Sequence, residues 1–198
     1  MKYFERLMTG LDVQPIIDKL EQMPELWDQF TARQDAPGSP HKDTRCIMIL
    51  GPKTIGLDIV FNDLESVPYP PFADLFAEIR WVMVPLMQAV GVENGEGLGR
   101  VMLAELAPGG AIIPHADGGA YAAHYSRFHI VISSDHGNRF TCGDETVDMQ
   151  PGEAWWFNHR KVHFVINNSN TPRVHLIIDV VSPHYSVAPV ADGEELNS

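Results

Sequence analysis

Short apolar runs alternate with clusters of turn residues through the second half of this 198-residue chain, and this pattern constrains the fold more than any other feature. Runs bounded by Gly, Pro, Asn and Asp are typical of strands, and several short strands at even spacing are typical of a jelly roll or a barrel. Eight strands are predicted, at Arg100–Leu106, Ala111–His115, Arg127–Ser133, Arg139–Cys142, Thr146–Met149, Glu153–Phe157, Val162–Asn167 and Arg173–Val181.

The first half of the chain has helical periodicity instead. Apolar residues recur every three or four positions over Pro15–Arg33, with an interruption near Pro24, and again over Phe72–Val90. Pro85 lies inside the second stretch, and we expect it to kink or split that helix because proline has no N–H to donate.

Two further strands are predicted between these helices, at Arg45–Leu50 and Leu57–Phe61, on either side of a Gly51-Pro52 turn. The predicted fold class is mainly β with N-terminal helices around a double-stranded β-helix core, the jelly-roll or cupin-like architecture. The length predicts a single domain. Its predicted parts are helices and flanking strands at 1–98, the jelly-roll catalytic core at 99–182, and a loose tail at 183–198.

Charge and cysteine content exclude several classes of protein. Acidic residues outnumber basic ones by 26 to 14, and a net charge of −12 argues against nucleic acid or anionic membrane as a partner. The two cysteines, Cys46 and Cys142, rule out a disulfide framework or a multi-cysteine zinc site. No apolar run approaches the roughly 20 residues of a membrane span, so a cytoplasmic location is expected. The unusual count is nine histidines.

The motif His115-Ala-Asp117 is the first candidate for chemistry. A His and an Asp two residues apart at a strand end both reach one cation, and with a distant second His they make the 2-His-1-carboxylate set of non-haem iron(II) oxygenases. The Gly118-Gly119 pair that follows lets the backbone bend close around a ligand. His41-Lys-Asp43 has the same spacing, but it lies in a Pro- and Gly-rich loop and is not expected to bind metal.

The second histidine has to come from another segment of the chain. His163 is favoured because it lies in the strand Val162–Asn167, which is expected to pair across the barrel. The alternative for His163 is a polar core residue that is hydrogen-bonded to the backbone. All the candidates are His124, His129, His136, His159, His163, His175 and His184.

Two apolar strands carry an arginine and a histidine on one face, in Arg127-Phe-His129 and Arg173-Val-His175. An enclosed arginine is costly without a carboxylate partner. The protein itself can supply that carboxylate, for instance from Asp179 or Glu105, or a ligand can supply it, since a guanidinium fork suits bidentate carboxylate binding.

Over about Arg100–Val181 the chain resembles the aspartyl/asparaginyl β-hydroxylase family of iron(II)- and 2-oxoglutarate-dependent dioxygenases. The resemblance depends on several features that occur together in the right order. They are the turn Leu106-Ala-Pro-Gly109, the segment Ile113-Pro-His115, the strand Arg127-Phe-His129, the turn Pro151-Gly-Glu153 before an aromatic strand, and His163 with Arg173 ten residues later.

The resemblance implies a role for each of these residues. His115 and His163 correspond to the iron-binding histidines, and Arg173 to the residue that binds the distal carboxylate of 2-oxoglutarate. Arg127 and His129 correspond to partners for the other end of 2-oxoglutarate. The implied activity is hydroxylation of a C–H bond with O2, with release of succinate and CO2.

Departures from the family pattern refine these expectations. Asp117 follows the first histidine, whereas some members lack an acidic ligand there, so three iron ligands are expected. Ala104 replaces a serine that helps to hold 2-oxoglutarate in some members, so that contact is absent or replaced. The helical-repeat region that animal members use for protein substrates is missing, which favours a small molecule such as an amino acid, or a short peptide.

We expect the substrate to approach over a loop at 118–125, and the sequence leaves both its identity and the oligomeric state open. Two other functions remain open: a cupin-like metalloenzyme that does not use 2-oxoglutarate, and a non-catalytic ligand-binding module. The candidate substrate contacts are Tyr121, His124 and Tyr125, with Arg45 for a substrate carboxylate and Trp155 as a cavity wall.

Overall fold

Two antiparallel β-sheets form the fold in a computed structural model, which describes residues 1–53, 63–92 and 95–185. The larger sheet has seven strands in the order β1-β9-β6-β11-β4-β2-β3, and the smaller has four in the order β5-β10-β7-β8. The strands are β1 Phe4–Met8, β2 Thr44–Pro52, β3 Ser66–Pro68, β4 Leu98–Leu106, β5 Ala111–His115, β6 Ser126–Ser133, β7 Asn138–Cys142, β8 Glu145–Val147, β9 Ala154–Phe157, β10 His163–Asn167 and β11 Arg173–Val180.

The helices belong mostly to the first half of the chain. α1 spans Gln14–Gln22, a 3-10 helix spans Pro24–Asp28, and α2 spans Ala32–Asp35. α3 spans Phe72–Ala89, and a short α4 spans Gly119–His124. None of the helices in the described ranges has the length and apolar character needed to cross a membrane.

The larger sheet has two different faces because strand side chains alternate. One face packs against α1 and α3, through residues such as Ile16 and Ile79, in one continuous apolar core. The other face points toward the smaller sheet, and two smaller clusters of apolar residues lie there. The second face also carries the buried polar side chains of β11, which include Arg173 and Asp179.

The prediction of a mainly β jelly-roll fold with N-terminal helices is confirmed by these two sheets. The eight strands predicted after residue 99 are all present, with ends that differ by a few residues. The predicted strand Leu57–Phe61 lies outside the described residues, as does most of the predicted tail. The division of the chain into three parts stays a prediction.

Four details of the prediction were wrong or incomplete. Gly51 and Pro52 do not form a turn but end β2, where they pair with β3, and proline is tolerated at a strand end. Pro85 does not split α3, because the carbonyl that it leaves unpaired belongs to Trp81, which is 75% exposed. β1 was not predicted, and the 118–125 segment is largely the helix α4 instead of a loop.

Candidate active site

The pairing of β5 with β10 brings two histidines of distant sequence together. His115 ends β5 and His163 begins β10, and these two residues are direct partners across the antiparallel pair. Their ring centroids are 4.3 Å apart. With Asp117, two residues after β5, they offer three ligand atoms that all lie within 4.8 Å of one another. The structure therefore gathers the three residues that the sequence analysis selected as metal ligands.

The tautomer of both histidines is fixed by the backbone. His115 Nδ1 donates to the Ile113 carbonyl at 2.8 Å, and His163 Nδ1 donates to the Lys161 carbonyl at 2.9 Å. Since a carbonyl only accepts, the proton is on Nδ1 and Nε2 keeps its lone pair in both rings. Burial lowers the pKa of His115, and it lowers the pKa of His163 to about 4. Two neutral imidazoles and one carboxylate fit an iron(II) ion in the facial arrangement.

Asp117 is held in place from two directions. Its backbone N–H donates to the His159 carbonyl at 2.9 Å, and its Oδ2 accepts from Arg127 Nη1 at 2.6 Å. Burial alone would raise the pKa of Asp117, but the Arg127 guanidinium holds it well below its usual range. The side chain is thus an anion with one oxygen fixed by Arg127, and the other, Oδ1, faces His115 Nε2 at 3.7 Å.

Arg127 belongs to a buried network that reaches Asp179. The Arg127 Nε and Nη2 atoms donate to the two Asp179 oxygens at 2.8 and 2.9 Å. The Tyr121 hydroxyl donates to Asp179 Oδ2 at 3.1 Å and accepts from the Arg100 backbone N–H at 2.7 Å. The protein itself therefore supplies the carboxylates that pair with Arg127, those of Asp117 and Asp179. The predicted contact of Arg127 with 2-oxoglutarate stays a prediction. In this structure Arg127 fixes the orientation of Asp117.

Arg173 is the opposite case. It is 4% exposed, and no Asp or Glu within the described ranges lies in ion-pair distance of its guanidinium. Its contacts are His175 Nδ1, at 3.0 Å from Nη2, and the Phe140 ring, whose centroid is 5.6 Å from the guanidinium carbon. Burial lowers the pKa of Arg173 to about 9. A buried cation without a carboxylate is the arrangement expected of a site that receives an anionic ligand.

Two buried histidines accompany Arg173. A guanidinium only donates, so His175 Nδ1 accepts from Arg173, and His129 Nδ1, at 3.1 Å from His175 Nδ1, must then carry the proton. Burial, reinforced by the Arg173 charge, lowers the pKa of both histidines, so both rings are neutral. The Nε2 atoms of His129 and His175 are buried without a hydrogen-bond partner within the described part of the chain. Ala104 lies directly across from His175 on β4.

Arg45 lies away from this group, and the structure does not bring it together with the candidate metal ligands. It shares a strand face with Ile47 and Ile49, which pack in the core beneath the helices. Its guanidinium pairs with Glu105 at 2.7 Å and lies over the Trp27 ring. Strand alternation thus directs Arg45 to the sheet face opposite Arg173.

The other candidate substrate contacts lie in different environments. His124 is exposed on α4, and the buried Tyr125 donates its hydroxyl to the Leu64 carbonyl at 2.8 Å. Trp155 is buried opposite His129 on β6, with its indole N–H donated to Glu153 Oε2 at 2.9 Å. Contacts of these residues with a substrate stay predictions.

Tyr121 has a structural connection instead, which a conservative variant tests. It is 4% exposed and its hydroxyl joins Asp179 to the β4 backbone, so Tyr121→Phe removes the acceptor of the Arg100 N–H and one of the two donors to Asp179 Oδ2. We expect a loss of about 1–3 kcal/mol in the free energy of unfolding, measured by denaturant titration. Tyr125→Phe, whose hydroxyl only meets a backbone carbonyl, is the matched control and is expected to lose less. A Tyr121→Phe protein of unchanged stability would contradict this assignment.

Sequence reasoning missed Arg33 and did not expect His41 to lie beside the candidate ligands. The His41 ring lies against the His115 ring, with centroids 4.9 Å apart, and His41 Nε2 accepts from Arg33 Nη2 at 3.0 Å. Arg33 comes from α2 and reaches Met102 Sδ on β4 at 3.4 Å. The candidate ligand group of His115, Asp117 and His163 does not include His41. Nothing in the sequence around Arg33 pointed to the site.

A jelly roll in which two paired strands and the residues just after one of them bring two histidines and a carboxylate to one point belongs to the class of double-stranded β-helix proteins, and these three side chains could hold a metal ion. Within this class, residues 82–183, just over half of the chain, match the family described as Aspartyl/Asparaginyl beta-hydroxylase. The chain belongs to that family, as the sequence resemblance predicted. All three candidate ligands and Arg173 lie inside the matched segment.

Two individual proteins show what this chain is similar to. An L-proline cis-4-hydroxylase from Rhizobium meliloti (strain 1021) is 35% identical over 68 residues, which are 34% of this chain and 24% of that protein. The match thus spans about a quarter of the hydroxylase. A crystal structure of an oxidoreductase of the 2OG-Fe(II) oxygenase family from Burkholderia pseudomallei aligns with a TM-score of 0.52 and 13% identity. It covers 87% of this chain and 82% of that one, which supports the shared fold.

Proposed function

We propose that this protein is an iron(II)- and 2-oxoglutarate-dependent dioxygenase that hydroxylates a C–H bond of a small substrate. The observation that carries the proposal is the buried guanidinium of Arg173, which meets no carboxylate in the described part of the chain and lies on the same interior face as the side chains that fix Asp117. A cupin-like enzyme that does not use 2-oxoglutarate has no need for such a cation and would favour an internal carboxylate beside it. Family membership and the three gathered ligands give further support.

The proposed iron ligands are His115, Asp117 and His163. When bound there, iron(II) with 2-oxoglutarate and O2 supplies the oxidation that places one oxygen atom on the substrate and releases succinate and CO2. The protein orients the metal ligands through the carbonyls of Ile113 and Lys161, which keep each Nε2 lone pair available. Arg127 keeps Asp117 ionised and fixed in one orientation.

The proposed site for 2-oxoglutarate centres on Arg173. Its guanidinium binds the distal carboxylate, while the acceptor contact at His175 Nδ1 holds the fork in one orientation. His129 borders the same space through its ring and its unpartnered Nε2. Ala104 contributes no hydrogen bond at the position of the family serine, and we infer that the His175 ring across from it takes over the positioning of the ligand.

An amino acid is the substrate class to examine first, since the relative that matches part of this chain is an L-proline cis-4-hydroxylase. A short peptide or a related metabolite is compatible with the same site. In every case the substrate has to lie beside the three proposed metal ligands, on the side that these residues leave open.

The proposal is tested by binding and product release in the purified protein. With iron(II) and 2-oxoglutarate under anaerobic conditions, we expect the weak visible charge-transfer band of the ternary complex, and with O2 we expect succinate. A mass-spectrometric screen over amino acids and short peptides then identifies a product heavier by one oxygen atom. His115→Ala is the control and is expected to abolish the band.

Two results would overturn the proposal. Iron binding without any succinate from 2-oxoglutarate would favour the cupin-like metalloenzyme. Ligand binding that is unchanged in His115→Ala would favour a non-catalytic binding module, because no metal would then be required.

A further inference from the structure

A second arginine is enclosed in the structure without a carboxylate, and it comes from a different part of the chain. Within the described residues the Arg33 guanidinium meets Met102 Sδ at 3.4 Å, His41 Nε2 at 3.0 Å and the Cys46 thiol, and no Asp or Glu lies in ion-pair distance. A thioether and a thiol are weak acceptors, so the five N–H groups of the fork are poorly satisfied. Burial is the main cause that lowers the pKa of Arg33.

The position of Arg33 relates it to the candidate metal ligands. Its partner His41 packs edge-to-face against His115, so a single imidazole ring separates the cation from the first ligand. The charges of Asp117 and Asp179 act on Arg33 only at a distance, because Arg127 forms the direct hydrogen bonds with both carboxylates. These two carboxylates are therefore partners of Arg127 and not of Arg33.

Arg33 and Arg173 have different side-chain neighbours. Arg33 touches Met102 on β4 and Cys46 on β2, whereas Arg173 contacts His175 on β11 and the Phe140 ring on β7. None of these contacts is shared, so we assign the two guanidinium groups to two separate carboxylates.

Arg33 also differs from the other site residues in its origin and its access. It lies in α2, outside residues 82–183, which match the family, whereas the proposed iron and 2-oxoglutarate residues all lie inside that segment. The residue as a whole keeps intermediate exposure, so its side chain runs inward from the surface. A cation that has no carboxylate partner within the described ranges and lies one imidazole ring from a candidate metal ligand is placed to recognise an anionic substrate.

We propose that Arg33, oriented by His41, binds a carboxylate of the substrate, and that the substrates of this protein are therefore small carboxylic acids with the free carboxylate of an amino acid. This inference rests on the proposed dioxygenase function, in which Arg173 serves 2-oxoglutarate. It assigns Arg33 and Arg173, which have no carboxylate partner in the described part of the chain, to two different ligands.

The test compares acids with their amides in protein that is loaded with iron(II) and 2-oxoglutarate without O2. Calorimetric titration with L-proline and the other proteinogenic L-amino acids is expected to find at least one ligand, whose carboxamide (L-prolinamide for L-proline) binds about 10- to 100-fold more weakly. Arg33→Met is expected to weaken binding of the acid by a similar factor and to leave the amide unchanged. The dissociation constant for 2-oxoglutarate, followed by the charge-transfer band, is expected to stay the same.

The matched controls are Arg33→Lys and Arg45→Met. The lysine variant keeps the charge but loses the fork and is expected to retain part of the affinity. Arg45→Met removes an arginine on the opposite sheet face and is expected to change neither ligand. If Arg33→Met weakens 2-oxoglutarate as much as the acid, or if acid and amide bind wild-type protein equally, or if no amino acid binds, the inference is wrong.

A measurement on ligand-free protein separates recognition from a structural contribution. An enclosed cation without a carboxylate costs stability, so Arg33→Met is expected to raise the unfolding midpoint, by about 2–4 °C for each kcal/mol. A lowered midpoint would assign Arg33 a structural role and contradict the inference. If wild-type protein forms no charge-transfer band but still prefers acids to amides through Arg33, the dioxygenase proposal fails and carboxylate recognition stands.

Discussion

Replacing Arg173 with methionine is expected to raise the dissociation constant for 2-oxoglutarate about 100- to 10,000-fold and to leave iron(II) binding nearly unchanged. Two hydrogen bonds between a guanidinium and a carboxylate contribute about 1.5–3 kcal/mol each, and every 1.4 kcal/mol is about a factor of ten. The variant loses both bonds, but it touches none of the three proposed iron ligands. Anaerobic titration of the charge-transfer band measures both constants in one experiment.

The same variant also tests how the burial of Arg173 affects the stability of the ligand-free protein. Its charge has no carboxylate in the described part of the chain, so methionine removes an unfavourable burial and the ligand-free protein is expected to be at least as stable as wild type. Arg139→Met, at an exposed position on β7, is the control and is expected to change neither affinity nor stability. Equal affinity for 2-oxoglutarate in Arg173→Met and wild type would remove the co-substrate assignment.

The fold was predictable where local signals and tertiary structure agree. Apolar runs bounded by Gly, Pro and Asn become strands of the larger sheet because that sheet is packed on both faces, against the helices on one side and toward the smaller sheet on the other. β1, by contrast, has the sequence Phe-Glu-Arg-Leu-Met and becomes a strand because β9 offers it an edge. α4 begins at the second residue of the Gly118-Gly119 pair, which indicated a bend. Its alanines favour helix, and the ring centroids of Tyr121 and Tyr125, one turn apart, are separated by 4.6 Å.

In the candidate site, too, the residues set by local spacing and strand pairing were predictable, and those set by distant contacts were not. The spacing of His115 and Asp117 placed two ligands at one strand end, and strand pairing then selected His163 among the other histidines. Arg33 depends on a contact with Met102, which is 69 residues away in sequence, and no local pattern predicts such a contact. That Arg127 binds Asp179 while Arg173 binds no carboxylate is likewise a property of the packed interior, since the two strands carry the same Arg-x-His pattern.

Changing Asp179 to asparagine is expected to lower the free energy of unfolding by about 3–5 kcal/mol, because it removes one partner of a buried ion pair and leaves the other charge in place. Asp179 is 1% exposed and accepts two hydrogen bonds from Arg127 and one from Tyr121. For a domain of this size the loss corresponds to a fall of about 6–20 °C in the unfolding midpoint. Thermal unfolding of ligand-free protein measures the fall directly.

The effect of Asp179→Asn extends to the metal site through a single residue. Arg127 holds Asp179 with two of its nitrogens and Asp117 with the third, so loosening the first contact is expected to free the orientation of the second. Loss of such an outer-sphere partner typically costs about 10- to 100-fold in metal affinity, which iron(II) titration measures in the folded fraction of the variant. Asp148→Asn, at an exposed position whose carboxylate meets His136, Gln150 and the Gly137 N–H, is the matched control and is expected to change neither quantity. An Asp179→Asn protein with wild-type stability and iron affinity would show that the Arg127 network does not support the metal site.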